Sequence, residues 1–309
     1  MKLLPLPHVV VREILEHLEP NMLLLLSLCS TRARNKLARN TKPNKNLCID
    51  CPGRTEFGYT FRMPRNCLMQ VLPNDNYRAN NENIRNYKGS RILIDSFGRA
   101  SFFEGPIDGC KRVLPDIRAV LNTRVSYIDL AYESDIWMLK YVQSLQEERL
   151  DTLDVQHWDA SSESYTNIKS ANADRINCRC SPLLDYELRT LPSVSVLYIG
   201  SGFWVTEAHL RTVNIQNLRI DNSKLTSTTI NNLLKAWLQR APSYLKLIQL
   251  NGQAVVIEND IRSSLEPVQS DLTFNWGNGY RFSSPHSYHF RMEGKVVASN
   301  ESHGTSFVV

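Results

Sequence analysis

The chain has 309 residues, of which 42% are hydrophobic and 22% charged, with a formal net charge of +5. This is ordinary globular composition with room for two domains, and the charge is too small to demand a nucleic-acid partner. The longest apolar stretch, Met22–Leu26 continuing through Ser27 to Cys29, is eight residues, against about 20 for a membrane span. The start, Met1-Lys2-Leu3-Leu4-Pro5-Leu6-Pro7, breaks its apolar run with prolines and meets Arg12 and Glu13 without a small-residue cleavage site, so no secretory signal is read. Seven cysteines in no framework spacing point to a reducing compartment. The expectation is a soluble intracellular protein of cytoplasm or nucleus.

Val10, Ile14, Leu15 and Leu18 have helical spacing on one apolar face within Leu6–Leu18. Pro7 sits in the first turn and Pro20 ends the element, with Asn21 as cap of a second helix through Leu28 and Ser30 or Thr31 as cap of a third reaching about Asn40. Three short helices in about 40 residues are hard to stabilise alone. The middle one, Met22-Leu23-Leu24-Leu25-Leu26, is apolar nearly all round, so either the rest of the chain or another protein covers it. Between Thr31 and Lys45 stand six basic residues, Arg32, Arg34, Lys36, Arg39, Lys42 and Lys45, and no acid. A phosphate-contacting strip is one reading. A solvated helix end, whose cations complement the helix dipole, is the reading preferred for so short a run without aromatics.

The order Leu6-Pro7, Val10, Ile14-Leu15, Leu18, Pro20, Leu23-Leu24, Leu28-Cys29-Ser30-x-Arg32 resembles the F-box motif over roughly 35 residues. Many F-boxes carry Trp near Ala33; this chain does not, and in reading Ser-x-Arg there it is similar to the nematode F-box family. The resemblance implies that Leu6, Pro7, Val10, Ile14, Leu15, Leu18 and Leu24 contact a Skp-type adaptor. The alternative is an intramolecular helical cap on the downstream domain.

Thr41–Asn46 is a polar break that closes a first domain of residues 1–42. Residues 47–121 read as a β-rich segment, with strands at Leu47–Cys51, Phe57–Met63, Cys67–Leu72, Ile92–Asp95 and Ala100–Glu104, an Asn-rich loop over Pro73–Ser90, and a helix near Gly109–Leu121. From residue 122 to 309 a repeat appears, apolar-x-x-apolar-x-apolar, as Val125-Ile128-Leu130, Leu150-Leu153-Val155, Ala173-Ile176-Cys178, Val194-Leu197-Ile199, Ile215-Leu218-Ile220 and Leu245-Ile248-Leu250. Its middle positions are 25, 23, 21, 21 and 30 residues apart, in or next to the leucine-rich-repeat range. Between strands lie helical patterns, clearest over Thr228–Arg240 with Pro242 beyond. The expected fold class is α+β: three N-terminal helices, then a leucine-rich-repeat-like α/β solenoid with flanking β-hairpins. Hairpin turns are read at Trp276-Gly277-Asn278-Gly279-Tyr280 and Glu293-Gly294.

The residue between the last two apolar positions of each repeat points to the opposite face. Those residues are Asp129, Asp154, Asn177, Tyr198, Arg219 and Gln249, all polar or amphipathic. They form either a binding column or a one-sided sheet facing water. Trp158 and Trp204 follow the second and fourth strands and are candidates for a composite aromatic site, with packing under a loop as the plainer fate of each. Arg175, Arg179 and Arg219 lie near the same face, where they make phosphate-dependent target recognition conceivable.

Asn231-x-x-Leu234-Lys235-x-Trp237, Tyr244-Leu245-Lys246-Leu247-Ile248 and Arg291–Ala298 resemble the type-2 F-box-associated domain. Together the two resemblances imply a non-catalytic substrate-recognition adaptor of a Skp–cullin–F-box ubiquitin ligase, binding an unknown protein target. The competing reading is an interaction scaffold whose helices cap the core.

No catalytic set, metal site or cofactor is read. Cys48-x-x-Cys51 and Cys178-x-Cys180 are far apart in sequence and lie in strand-like runs, unlike paired zinc ligands. Gly277-x-Gly279 lacks the Lys-Ser/Thr of a phosphate loop, no His-x-x-x-His pair occurs, and no Gly-x-Ser-x-Gly elbow occurs. Asn300-Glu301-Ser302 fits a glycosylation acceptor, which is irrelevant without a secretory signal.

Overall fold

A computed structural model describes residues 5–51, 59–63, 66–72, 84–87, 90–94, 100–103, 106–156, 162–179, 191–212, 214–239, 247–251, 266–269, 274–276, 280–282, 288–292, 295–296, 299–301 and 304–308. Two compact units divide the chain, Met1–His157 and Trp158–Val309.

The first unit opens with helices α1 (His8–Glu16), α2 (Pro20–Cys29) and α3 (Thr31–Asn40). Pro7 is the N-cap of α1, and Pro20 opens α2 where Asn21 was expected to cap it; proline suits that first position because its missing N–H has no helical partner anyway. Ser30 caps α3, its Oγ accepting from the Ala33 N–H at 3.1 Å. Strands β1 (Asn44–Cys51), β2 (Tyr59–Met63), β3 (Asn66–Leu72), β4 (Ile84–Tyr87), β5 (Ser90–Ile94) and β6 (Ala100–Phe103) follow. After them come α4 (Pro106–Leu121), β7 (Thr123–Leu130), a 3-10 turn at Glu133–Asp135, α5 (Ile136–Leu145) and β8 (Leu150–Val155).

The pairing is mixed. β1–β2, β2–β3, β4–β5 and β5–β6 are antiparallel, while β3–β6, β1–β7 and β7–β8 are parallel. β4 corrects one expectation, because it lies inside the stretch read as a loop. Four residues of strand in an Asn-rich run carry too little period-two signal to be seen, yet Tyr87 is buried there.

Helix α4 organises this unit. Cys110, Val113, Leu114, Ile117, Val120 and Leu121 are buried at helical spacing, and Pro115 stands on the exposed side. α4 packs on α2, α3, β3 and β7. The all-apolar α2 is therefore covered by its own chain on α3, α4 and β3, with Leu23, Leu24 and Ser27 buried.

In the second unit, α6 (Ser162–Lys169), β9 (Ala173–Cys178), β10 (Val196–Ile199), α7 (Glu207–Arg211), β11 (Asn217–Ile220), α8 (Ser227–Gln239) and β12 (Leu247–Asn251) alternate. β9, β10, β11 and β12 pair in parallel, with Ile176, Leu197, Leu218 and Ile248 opposite one another. The repeat's middle residues thus share one register, because each strand must turn the same apolar side inward. Beyond lie β13 (Glu266–Gln269), β14 (Phe274–Trp276), β15 (Tyr280–Phe282), β16 (Tyr288–Met292), β17 (Lys295–Val296), β18 (Ser299–Glu301) and β19 (Gly304–Val308). β19 joins the edge of β12 antiparallel, and β14–β15 and β16–β17 form the hairpins around the two expected turns, whose tip residues lie outside the described residues.

Ile117→Ala in the fully buried face of α4 removes core volume with little room to collapse. The expected loss is about 2–5 kcal/mol of unfolding free energy, read by denaturant titration, against less than about 0.5 kcal/mol for Val9→Ala on the exposed side of α1.

Candidate functional site

Two surfaces carry the expected site residues. On the helices, α1 turns Val11 and Leu15 inward, both buried, toward α3. Val10 is 43% exposed, so the apolar face predicted through Val10 is rotated by one residue: the i, i+4 pair Val11–Leu15 points together. The entry to α1 is tied to the end of α3. Lys36 Nζ donates to the Leu6 carbonyl at 2.8 Å, the His8 ring donates to Asn40 Oδ1 at 3.0 Å, and Asn40 Nδ2 donates to the Lys36 carbonyl at 2.7 Å.

Of the seven residues assigned to adaptor contact, Leu15 and Leu24 are buried within the unit. Leu6, Ile14 and Leu18 are half-buried, and Pro7 and Val10 are exposed. Sequence reasoning did not single out Val9 or Met22, which are 75% and 46% exposed and add to the outward apolar surface. The end of α1 and the turn into α2 border a cleft of about 410 Å³ lined by Leu15, Leu18, Pro20, Leu23, Met63 and Leu121 among others, with the Glu16–Lys42 ion pair (2.8 Å) beside it.

The basic run is partly consumed inside the unit. Arg34 pairs with Asp116 of α4 at 3.1 Å and lies over the Tyr87 ring at 5.2 Å, Lys36 holds Leu6, and Lys42 holds Glu16. Tyr87 donates to the other oxygen of Asp116. Burial and that bond push the Tyr87 phenol far up. Three of the six cations are thus engaged internally, which shortens any phosphate-tracking strip.

The second surface is the polar face of the strands. In the first unit Asp50, Asp129 and Asp154 fall in one row. Each carboxylate has a donor: Arg62 Nε at 2.5 Å, Gln156 Nε2 at 2.5 Å and Tyr127 Oη at 2.6 Å respectively. Like charges opposite one another on neighbouring strands are unfavourable, and these hydrogen bonds offset the repulsion. Asp154 is buried, so it serves this row rather than offering itself to solvent.

In the second unit Asn177, Tyr198, Arg219 and Gln249 share one row. Tyr198 Oη donates to Asp221 Oδ2 at 2.6 Å, Arg219 Nε donates to Asp221 Oδ1 at 3.1 Å, and the Arg219 guanidinium lies 5.2 Å from the Tyr198 ring centroid. Burial first, then the bond to Asp221, push the Tyr198 phenol up to about 12, while Arg219 and Arg179 act in the opposite direction. Trp204 is half-buried, edge-on to His209 with ring centroids 5.5 Å apart. Trp158 lies outside the described residues, so the composite aromatic site rests on Trp204 alone here.

The cysteine pair Cys48 and Cys51 is buried in β1, and burial pushes both thiols up. Five described cysteines, at 29, 48, 51, 110 and 178, are free thiols, and among the described residues no cluster of three or more His, Cys, Asp or Glu is arranged to hold a metal. No helix among the described residues is long and apolar enough to cross a membrane.

Three helices packed with α4 onto a mixed sheet, with parallel strands that present a polar row, make an α+β protein. Comparison with known families agrees. Residues 3–42 match the F-box domain and residues 188–250 match the F-box associated family. The chain therefore carries an F-box segment and a type-2 F-box-associated segment, and domains of these two kinds are typically non-catalytic adaptor modules. No curated protein and no solved structure gives a significant match.

Because the folded state favours the neutral Tyr198 phenol, the stability from its bond to Asp221 is complete below the ordinary value of 10 and is lost as pH rises toward about 12. Chemical denaturation across that window should show a steeper fall for the wild type than for Tyr198→Phe. Parallel pH profiles of the two proteins would contradict the assignment.

Proposed function

We propose that this chain is the substrate-recognition subunit of a Skp–cullin–F-box ubiquitin ligase. The N-terminal domain, residues 1–42, docks a Skp-type adaptor and through it a cullin, while the downstream region takes the target protein. The observation that carries the reading is the F-box match over residues 3–42, laid on three helices whose outward side keeps Val9, Val10 and Met22 exposed. Val9 and Val10 are neighbours on α1, and their exposed apolar surface suits a partner. The adaptor contacts are assigned to Leu6, Pro7, Val10, Ile14 and Leu18, with Leu15 and Leu24 supporting them from below. The function is then geometric: it raises the effective concentration of target lysines near a conjugating enzyme.

The finer reading of the target-binding region, residues 122–309 as a leucine-rich-repeat-like solenoid after a β-rich segment over 47–121, draws support from the parallel in-register strands and their intervening helices. Its candidate target contacts are Asp129, Trp158, Asn177, Tyr198, Trp204, Arg219 and Gln249, while Asp154, expected among them, is buried and bonded to Tyr127 and so drops out of the set. A second reading, a scaffold whose helices only cap the core, is favoured by one observation: Leu15, Leu23, Leu24 and Leu37 are all buried within the first unit.

Co-purification separates the two. The intact chain should retain a Skp-type adaptor. Val10→Asp combined with Met22→Asp, both at exposed positions, should weaken retention at least about thirtyfold, the loss of about 2 kcal/mol that marks an interface hot spot, with the thermal midpoint unchanged. Retention by the double variant equal to that of the wild type moves the contact elsewhere; no retention by the wild type favours the scaffold.

A further inference from the structure

The polar face of β9, β10 and β11 carries more cations than its own acids can use. Alternation puts Arg175, Asn177 and Arg179 on one side of the β9 segment, Val196, Tyr198 and Gly200 on that of β10, and Asn217, Arg219 and Asp221 on that of β11. The ladder continues one residue past the strand ends, with the Gly200 N–H donating to the Cys178 carbonyl and the Asp221 N–H to the Ile199 carbonyl. Three guanidiniums and one carboxylate share this grid.

The carboxylate is already committed. Asp221 takes Arg219 at 3.1 Å and Tyr198 Oη at 2.6 Å, so Arg219 is neutralised in place and its guanidinium covers the Tyr198 ring. Among the described residues no second carboxylate stands on this grid for Arg175 and Arg179, and the Nε of Arg175 is buried without a hydrogen-bond partner. Buried donors are nearly always paired in native proteins, and an orphan at a surface-facing position calls for a partner from outside. Arg179 is exposed beside Gly200. A Cβ at Gly200 would come 3.0 Å from the Arg179 backbone and 3.4 Å from Tyr198 Oη, so glycine permits the close approach of the two strands beside Arg179.

We infer that this face binds an extended acidic segment of the target chain, with one carboxylate on Arg175 and a second on Arg179. The inference rests on the target-binding role proposed above. Two points fix the ligand class. A guanidinium fork fits a carboxylate bidentately. Positions 175 and 179 are four residues apart, about 13 Å on an extended strand at about 3.3 Å per residue, and an extended peptide spans the same distance between side chains four residues apart. The evenly repeated phosphates of a nucleic acid would instead bring charge against Asp221.

The test uses the full chain with its adaptor and two fluorescein-labelled Ser/Gly peptides, one with two Glu four residues apart and the other with two Glu two residues apart. Fluorescence anisotropy at low salt should favour the wider spacing about tenfold. Arg175→Gln should lower that affinity at least tenfold with the thermal midpoint unchanged; the exposed Arg179→Gln serves as an independent variant. Equal affinity for the two peptides, binding by neither, or unchanged binding by both variants overturns the inference. So does a phosphoserine version that binds where the Glu peptide does not, which would assign the face to phosphorylated targets. Adaptor retention, measured on the same samples, keeps the two questions apart: its loss in the wild type counts against the ligase role, while peptide selectivity reports on this face alone.

Discussion

The packing of α4 is the constraint on which the first unit depends. This one helix contacts α2, α3, β3 and β7, so it is the common wall of the helical segment and the sheet. Its buried face, from Cys110 to Leu121, does the apolar part of this. The Arg34–Asp116–Tyr87 group adds a directional part, joining α3, α4 and β4 through one carboxylate. A partly buried ion pair with a third hydrogen-bonding partner contributes little net stability but is costly to break on one side. The N-terminal helices are thereby held in one orientation on the sheet while their outer side stays free.

The strand faces show a second economy. Where the first unit places three carboxylates in a row, every one has a donor from the same sheet. In the second unit Asp221 answers for Tyr198 and Arg219 together, and the cations at 175 and 179 exceed it. The two faces therefore differ in kind. On the first each carboxylate takes a hydrogen bond, and on the second the arginines outnumber the described carboxylate.

Much of this was legible in the sequence where a pattern repeats. The apolar triplets announced β7 to β12 because every strand in a parallel ladder turns the same side inward, and Ser30 announced the start of α3 because an unsatisfied helix end takes a hydroxyl. The F-box order of Leu6-Pro7 through Arg32 was readable for the same reason. Single features were not. Ile49 of β1 sits opposite Ile128 as a strand of the repeat type, but Leu47-x-Ile49-x-Cys51 lacks the spacing of the other triplets. β4 was hidden in an Asn-rich run. The rotation of α1 that exposes Val10 and buries Val11 depends on α3, and three consecutive valines cannot say which of them faces in. The pairing of Arg34 with Asp116 joins residues 82 apart in the chain, beyond the reach of any local pattern. Arg175 stood out only as one arginine among several until burial of its Nε without a partner was visible.

The central claim is that one chain carries two separate interaction surfaces, helices for the adaptor and a strand face for the target. Hydrogen–deuterium exchange of the intact chain, with and without a Skp-type adaptor, tests this directly. The account predicts new protection at the start of α1 and across the α1–α2 turn, around Val9, Val10 and Met22, with exchange in β9, β10 and β11 unchanged. Protection confined to β9–β11, or no change anywhere on addition of the adaptor, would contradict it.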